Sequence, residues 1–403
     1  MNTNCDLIVV GAGPAGLAAA CSAAQAGLKV LLLDEFMKPG GRLLGQLHQE
    51  PGGAWWNGIR EAELLVLGAR EAGAVIETGV SVTGLERTRD NGWTLWTNHG
   101  RYHSPYVLLA TGAAESANPL PGWTLPGVMS IGAAQVMTNV QRVRVGKRGV
   151  VIGMNVLAMA IVSELRLAGI DLAAIVLPPG NALSGSSSDP EAVLESLVRF
   201  ADLAPNAMLK YGAKLLQSIV TRNIALNLYP KQGIRMIGVP LQLRRCAIEI
   251  VGRDTVEGVL VADVTPRGEP IAGSERFVEA DFVCIAGGLY PLAELAAVAG
   301  CPFHYVPELG GHVPVHGENM QTPVPGLYVA GNITGVESAK VAIAQGRVAG
   351  LSIAFSAAAE NAPDEAEIKD AMKQVKLIRQ EALIQFHPDI ARSRANLYQI
   401  ETV

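Results

Sequence analysis

The sequence predicts an α/β protein built from two Rossmann-like dinucleotide-binding domains with a C-terminal helical appendage. Three observations carry this. An apolar strand at 6–10 runs into the Gly-rich turn GAGPAG and an Ala-rich helix, and a second strand-turn-helix of similar pattern, GVVIGMNVLAMAIVSELRLAG, recurs at 149–169. The composition is 49% hydrophobic but only 5% aromatic, with 44 glycines, which suits parallel sheets covered by Ala- and Gly-rich helices. At 403 residues the chain is long for one core, so two domains plus an appendage are expected.

Taken in order, residues 6–10 (DLIVV) form a buried strand, GAGPAG turns the chain, 14–26 make a helix, and 29–34 (KVLLLD) return as a second strand. A less regular stretch follows to about 105, with a period-two run from Trp93 to Thr97, and VLLATG then ends a strand in a tight turn at 107–112. Around 121 the segment PGWTLPGV places two Pro-Gly breaker pairs close together. After the second strand-turn-helix come a Ser-rich loop (LSGSSSDP, 183–190), a helical stretch and several strands, to about 277, where ADFVCIAGG reads as a return strand. From there to 350 the pattern again suits the first domain, ending in GLYVAGN and a helix from about 337. The expected domains are therefore 1–121 with 278–355, a second domain at 122–277, and an appendage at 356–403. Beyond Pro363, the residues Ile368, Ala371, Met372, Val375, Ile378, Ala382 and Phe386 fall at helical spacing, with Asp364, Glu365 and Glu367 at the favourable N-terminal end. They predict one amphipathic helix, which packs on its own body or docks a partner.

Gly11, Gly13 and Gly16 give G-x-G-x-x-G directly after a strand. The first permits the tight turn, the second lets backbone approach a pyrophosphate, and the third lets helix and strand close. Pro14 and Ala15 open the helix, whose free N–H groups face the phosphates. Asp34 and Glu35 end the second strand, where a carboxylate accepts from ribose hydroxyls. The same fingerprint serves FAD and NAD, so the choice between them depends on the rest of the chain. The second repeat is degenerate: only Gly153 survives, Asn155 and Ala158 stand at the other two glycine places, and the following strand ends in IVLPPG rather than an acid. Gly153, Asn155 and Val156 are the candidate residues there. Asn155 would crowd a pyrophosphate that glycine admits, so an adenine nucleotide (ATP, ADP or NAD) is the conceivable occupant and productive NAD(P)H binding is disfavoured.

Net charge of -5 leaves no broad cationic surface for a phosphate backbone, which argues against nucleic acid. Cys5, Cys21, Cys246, Cys284 and Cys301 are scattered without a CxxC pair, against a disulfide scaffold, a thioredoxin-type pair or a cysteine-ligated cluster, and no metal site is expected. Asp6 leads straight into the first strand, so no cleavable signal is expected, and the apolar runs are broken well short of a membrane span. A cytoplasmic location follows.

GGRLLGQ at 40–46, ATG at 110–112 and TPVPGLYVAGN at 322–332 resemble the further FAD segments of the two-dinucleotide-binding-domain, glutathione-reductase-like flavoproteins. The resemblance implies an FAD/NAD(P)-binding fold with FAD on the N-terminal unit, adding Gly41, Arg42, Val82, Ala110, Thr111, Gly112, Gly331 and Asn332 to the candidate cofactor contacts. Members of that class usually have Asp where this chain has Asn332, which donates and accepts without charge. The helix from about Val336 is then expected to point its N-terminus at the flavin pyrimidine. Gln46 and His48 are candidates for the isoalloxazine side, His48 being equally readable as a hydrogen-bonded structural histidine.

More specifically, GAAESANPLPGWTLPGVMSIGAAQ at 112–135, VCIAGGLYPLAELAAVAGC at 283–301 and AGNITGVESAKVAIAQGRVAG at 330–350 resemble the FAD-binding alpha subunit of heteromeric amino-acid and opine dehydrogenases. That family includes dye-linked L-proline dehydrogenase, hydroxyproline dehydrogenase, nopaline and octopine oxidase, and hydrogen cyanide synthase. The resemblance spans about residues 5–352. It implies electron transfer beside a second, substrate-oxidising flavoprotein (beta) subunit, and a [2Fe-2S] centre supplied by a separate subunit. The chain departs from the pattern in ending on a cysteine-free helix, and in reading AAESAN at 113–118 where an arginine is common. Two other readings stay open: an NAD(P)H-dependent ferredoxin or rubredoxin reductase, against which the degenerate repeat speaks, and a flavin-binding structural subunit that never cycles.

Overall fold

The computed structural model describes residues 5–50, 53–199, 219–382 and 386–400. The helical stretch expected after the Ser-rich loop falls partly outside them. The chain divides into two compact units, one made of Met1–Gln46, Asn57–Ala114 and Leu289–Val403, the other of Leu47–Trp56 and Glu115–Gly288.

The first unit is organised by a five-stranded parallel sheet in the order Leu327–Val329, Tyr106–Leu109, Leu7–Val10, Val30–Asp34, Val75–Thr78. Alternation along each strand divides its side chains between two cores. Leu7, Val9, Leu32 and Leu108 face the helices Pro14–Gln25 and Ala339–Ser356, while Ile8, Val10, Leu31, Leu33, Val107 and Leu109 face Trp93 and Leu95 of a three-stranded antiparallel sheet. Continuous apolar runs such as LIVV and VLLL result from this two-sided burial.

The two helices can approach because their facing surfaces are nearly bare backbone. A Cβ on Gly346 would lie 2.1 Å from the Ala15 carbonyl oxygen, and one on Gly350 would lie 2.5 Å from that of Ala19. Small residues four apart on one helix thus seat against small residues four apart on the other.

In the second unit, strands Val128–Ser130, Phe282–Ile285, Arg148–Ile152 and Asp171–Leu177 pair in parallel, and the long strand Val239–Val251 extends the eight-stranded sheet towards antiparallel partners. The strand-turn-helix repeat is present as Arg148–Ile152 followed by helix Val156–Leu167.

Three expectations need correction. The strand in ADFVCIAGG belongs to the second sheet rather than returning to the first, because its Phe282 ring fills the space above Gly149, where a Cβ would come within 2.1 Å of it. The return to the first unit comes at Leu289. The excursion Leu47–Trp56 belongs with the second unit, held there by a 3.0 Å bond from the Leu47 N–H to Glu164 Oε1. The C-terminal segment is no separate appendage: Ile368, Ala371 and Val375 join the core of the first unit, and the expected single helix is two, Glu365–Gln380 and Ile390–Ile400, with Phe386 between them.

Replacing Gly346 by Ala forces the two helices apart and should destabilise the protein by about 1–3 kcal/mol. Gly68→Ala is the control, since its new Cβ would meet only Cys21 Sγ at 3.8 Å. Thermal unfolding should show a clear drop for the first variant and none for the second.

Candidate functional site

Four sequence-distant segments meet at the C-terminal ends of the first sheet, where the order of the parallel strands reverses direction on either side of Leu7–Val10. All are anchored on the turn at 11–16. Gly11 has φ +104, and a Cβ there would lie 2.5 Å from the Ala110 carbonyl oxygen; one on Gly16 would lie 1.9 Å from that of Gly11. A Cβ on Gly41 would lie 2.9 Å from the Gly13 Cα, and one on Gly331 would lie 2.8 Å from the Ala15 Cβ. Backbone bonds tie the same pieces together: Gly40 N–H to Ala12 O at 2.8 Å, Ala110 N–H to Val10 O at 2.8 Å, and Ala330 N–H to Leu109 O at 3.1 Å.

Gly13 is the exception among these glycines. Nothing lies within 4 Å of where its Cβ would be, and its φ of -74° is open to any residue. Neither protein packing nor backbone geometry requires a glycine here, whereas a pyrophosphate lying over the start of helix Pro14–Gln25 does. The cradle therefore fits the diphosphate of a dinucleotide.

Several candidate side chains have parts the sequence did not assign. Asp34 is buried, with Oδ2 accepting from the Ala12 N–H at 2.5 Å and Oδ1 from the Phe36 N–H at 2.7 Å, so it pins the Gly-rich turn. Burial pushes its carboxyl above the usual range against those two bonds. Glu35, by contrast, is exposed at the strand end. Arg42 donates through Nε and Nη2 to the Ala113 carbonyl at 3.2 and 3.0 Å, clamping the 40–46 loop to the residue after the ATG turn. Thr111 Oγ1 donates to Leu292 O at 2.5 Å, and Gly112 takes φ +80. Val82 opens the first strand of the antiparallel sheet, opposite Thr97. The Gln46 carbonyl accepts from the Gly58 N–H at 2.9 Å. His48 lies in the second unit, where its ring stacks on Trp56 at 6.2 Å between centroids.

Asn332 uses its side-chain oxygen to accept the Glu337 N–H at 3.2 Å, an arrangement an aspartate could also make. Sequence reasoning misses Gln345, whose Oε1 accepts the Gly331 N–H at 3.1 Å while its buried Nε2 has no hydrogen-bond partner. A polar residue on the inward face of an otherwise apolar helix is the signal that could find it.

The second strand-turn-helix keeps the turn and closes the cradle. Gly153 has φ +112, and a Cβ there would lie 2.4 Å from Ala286 O. Asn155 caps the helix, its Oδ1 accepting the Ala158 N–H at 2.8 Å and its Nδ2 donating to Ala286 O at 3.3 Å. Its side chain thus takes one of the helix-start N–H donors that a phosphate could use. Val156 begins the helix proper.

Further along that helix Glu164, 3% exposed, accepts from Gln135 Nε2 at 2.7 Å, Asn139 Nδ2 at 3.0 Å and the Leu47 N–H at 3.0 Å. Burial pushes its pKa up to about 7, the three donors pulling the other way.

Among the described residues no cluster of His, Cys, Asp or Glu could hold a metal ion, and no helix is long and apolar enough to cross a membrane. Residues 5–203 match the family model described as pyridine nucleotide-disulphide oxidoreductase. The chain has that fold. An opine oxidase subunit of Agrobacterium tumefaciens (strain Ach5) is 30% identical over 360 residues, covering 86% of this chain and 65% of that one. Hydrogen cyanide synthase subunit HcnB of Pseudomonas aeruginosa is 26% identical over 396 residues, covering 96% of this chain and 77% of that one. L-proline dehydrogenase from P. horikoshii superposes with a TM-score of 0.65 at 18% identity, over 93% of this chain and 59% of that one, a likeness of fold. The chain spans less than two thirds of the opine oxidase subunits it first matches, 65% and 62%. The pyridine nucleotide-disulphide oxidoreductase fold supports FAD binding, and the relatives are named as subunits of larger enzymes.

Two outcomes follow from this geometry. Gly13→Val should leave unfolding of the flavin-free protein unchanged yet weaken FAD binding by roughly a hundredfold, about 3 kcal/mol; equal loss of stability in the flavin-free state would contradict the assignment. For Glu164 the folded pKa lies above the ordinary carboxylate value of 4.5. The native state therefore binds more protons than the unfolded one between about pH 4.5 and 7, and stability falls as pH rises through that window, by on the order of 3 kcal/mol in all. Melting curves of Glu164→Gln should lack this decline.

Proposed function

We propose that this chain is the FAD-carrying, electron-relaying subunit of a heteromeric dehydrogenase acting on the C–N bond of an amino acid, opine or related amine of the proline, hydroxyproline, sarcosine or opine type. The contrast between the two Gly-rich turns carries the reading: open space over Gly13 in the first, and the Asn155 side chain on the helix start in the second. A self-contained NAD(P)H reductase needs both turns open.

In this reading the diphosphate lies over Gly11, Gly13, Pro14, Ala15 and Gly16, with Glu35 near the ribose and Asp34 holding the turn. Gly41, Ala110, Thr111, Gly112, Gly331 and Asn332 line the rest of the cofactor, Arg42 fixes two of those loops together, and Val82 and Gln46 stand at the margins. Bound FAD would supply reversible two-electron acceptance. The protein's part is to bind, orient and exclude water.

No carboxylate clamp for an amino acid stands in the segments placed here, Arg42 being committed to Ala113. Substrate oxidation therefore falls to a second flavoprotein subunit, and a [2Fe-2S] relay to a separate protein, since the five cysteines are dispersed along the chain. Cysteines outside any disulfide also suit a cytoplasmic setting. An adenine nucleotide, ATP, ADP or NAD, at Gly153, Asn155 and Val156 would have to displace the Asn155 cap.

The purified chain should be yellow and release FAD on denaturation. Under anaerobic stopped flow, dithionite should bleach it while NADH and NADPH act slowly or not at all. Flavin reduction by NADH at hundreds per second would replace this reading with the reductase one, and a chain that folds without FAD would remove both.

A further inference from the structure

Glu337 sits in the turn between Asn332 and helix Ala339–Ser356, and it is 7% exposed. Arg379, on helix Glu365–Gln380, grips it through Nε at 2.5 Å and Nη2 at 3.2 Å. Arg394, on helix Ile390–Ile400, adds Nη2 at 2.6 Å. Both arginines therefore come from the C-terminal segment and converge on one carboxylate at the start of a helix.

The cluster is bonded into the loop that carries Gly331 and Asn332. Arg394 Nη2 donates to Thr334 Oγ1 at 3.2 Å, Thr334 Oγ1 donates to Gly331 O at 2.8 Å, and the Glu337 N–H donates to Asn332 Oδ1 at 3.2 Å. Each end of the flavin loop is thus one or two hydrogen bonds from the charges.

The charges do not cancel. Burial alone would raise the Glu337 carboxyl, but Arg394 and Arg379 hold it below its ordinary value, so it is ionised. His316 is fully buried beside them, and burial, then Arg394, push its pKa down to about 3, so it is neutral. Two guanidiniums against one carboxylate leave a surplus positive charge in an arginine pair that is 8% and 1% exposed. An apolar packing of the same space would avoid that desolvation. A buried surplus charge at the N-terminus of helix Ala339–Ser356 adds to the helix's own partial positive charge rather than offsetting it.

We propose that Arg379 and Arg394 are positioning residues that raise the reduction potential of the bound FAD, through the surplus positive charge they hold behind the 331–337 loop. The inference rests on the FAD reading of this site. Reduction adds negative charge to the flavin, so a fixed positive charge nearby favours the reduced form.

The experiment is the midpoint potential of the full-length, flavin-loaded chain, measured by anaerobic dye-equilibrated titration, with FAD content assayed after denaturation. Arg394→Gln and Arg379→Gln each remove a positive charge and should lower the potential. Glu337→Gln removes the negative charge and should raise it, while Glu337→Gln with Arg394→Gln restores the charge count and should return near wild type. A tenfold shift in the oxidised-to-reduced ratio per charge corresponds to about 30 mV for a two-electron couple. A purely structural role would move all single variants in the same direction. Arg394→Lys keeps the charge and should hold the wild-type potential. If Arg394→Gln takes up no flavin, the opposite shifts of Arg379→Gln and Glu337→Gln decide the matter alone. Shifts of one sign, or none, in flavin-loaded variants overturn this inference and leave the FAD reading standing. A wild-type chain that takes up no FAD overturns both.

Discussion

The first unit depends on backbone meeting backbone across helix Pro14–Gln25. On one side Gly16 lets that helix close on the Gly11 carbonyl; on another, Gly346 and Gly350 let helix Ala339–Ser356 close on Ala15 and Ala19. These approaches bring the Gly331 loop to Ala15 and so complete a cradle whose pieces are more than 300 residues apart in sequence. Side chains of any size at these contacts would separate the helices, and the segments that meet at the 11–16 turn would no longer share a site. The Ala- and Gly-rich composition is the sequence-level trace of this requirement.

The second unit repeats the topology with a different outcome. Its turn keeps the one glycine that the strand end demands, Gly153, and caps one N–H of the helix start with its own Asn155. The repeated strand-turn-helix thus carries its own side-chain cap, where the first turn has open space over Gly13. Glu164 fits the same picture: a carboxylate on the buried face of that helix is satisfied by three neutral donors, one of them the backbone of the Leu47–Trp56 excursion.

What is legible in the sequence is local. The GAGPAG turn, the repeat at 149–169 and the plugging residue Asn155 can be read because each consequence follows from neighbours within one strand-turn-helix. The return of the chain at Leu289 cannot, since Phe282 belongs to the second sheet by packing on Gly149, a pairing that no local pattern encodes. Asp34 reads as a ribose ligand because strand-end acids commonly are; its bonds to Ala12 and Phe36 depend on the turn's folded shape. The Arg379–Glu337–Arg394 cluster joins Glu337 to two arginines at least 42 positions away and presents no motif. The C-terminal segment reads as a separate element for the same reason.

In the proposed role this chain relays electrons and leaves oxidation of the amine to a partner subunit. The most direct test of that role compares the flavin-loaded chain alone with the chain co-expressed beside candidate partner subunits, each assayed with L-proline, hydroxyproline, sarcosine and opines plus an artificial dye. Turnover is expected only in the presence of a second flavoprotein subunit. Turnover of any of these substrates by the isolated chain at an ordinary enzymatic rate, on the order of 1 per second or more, would contradict it.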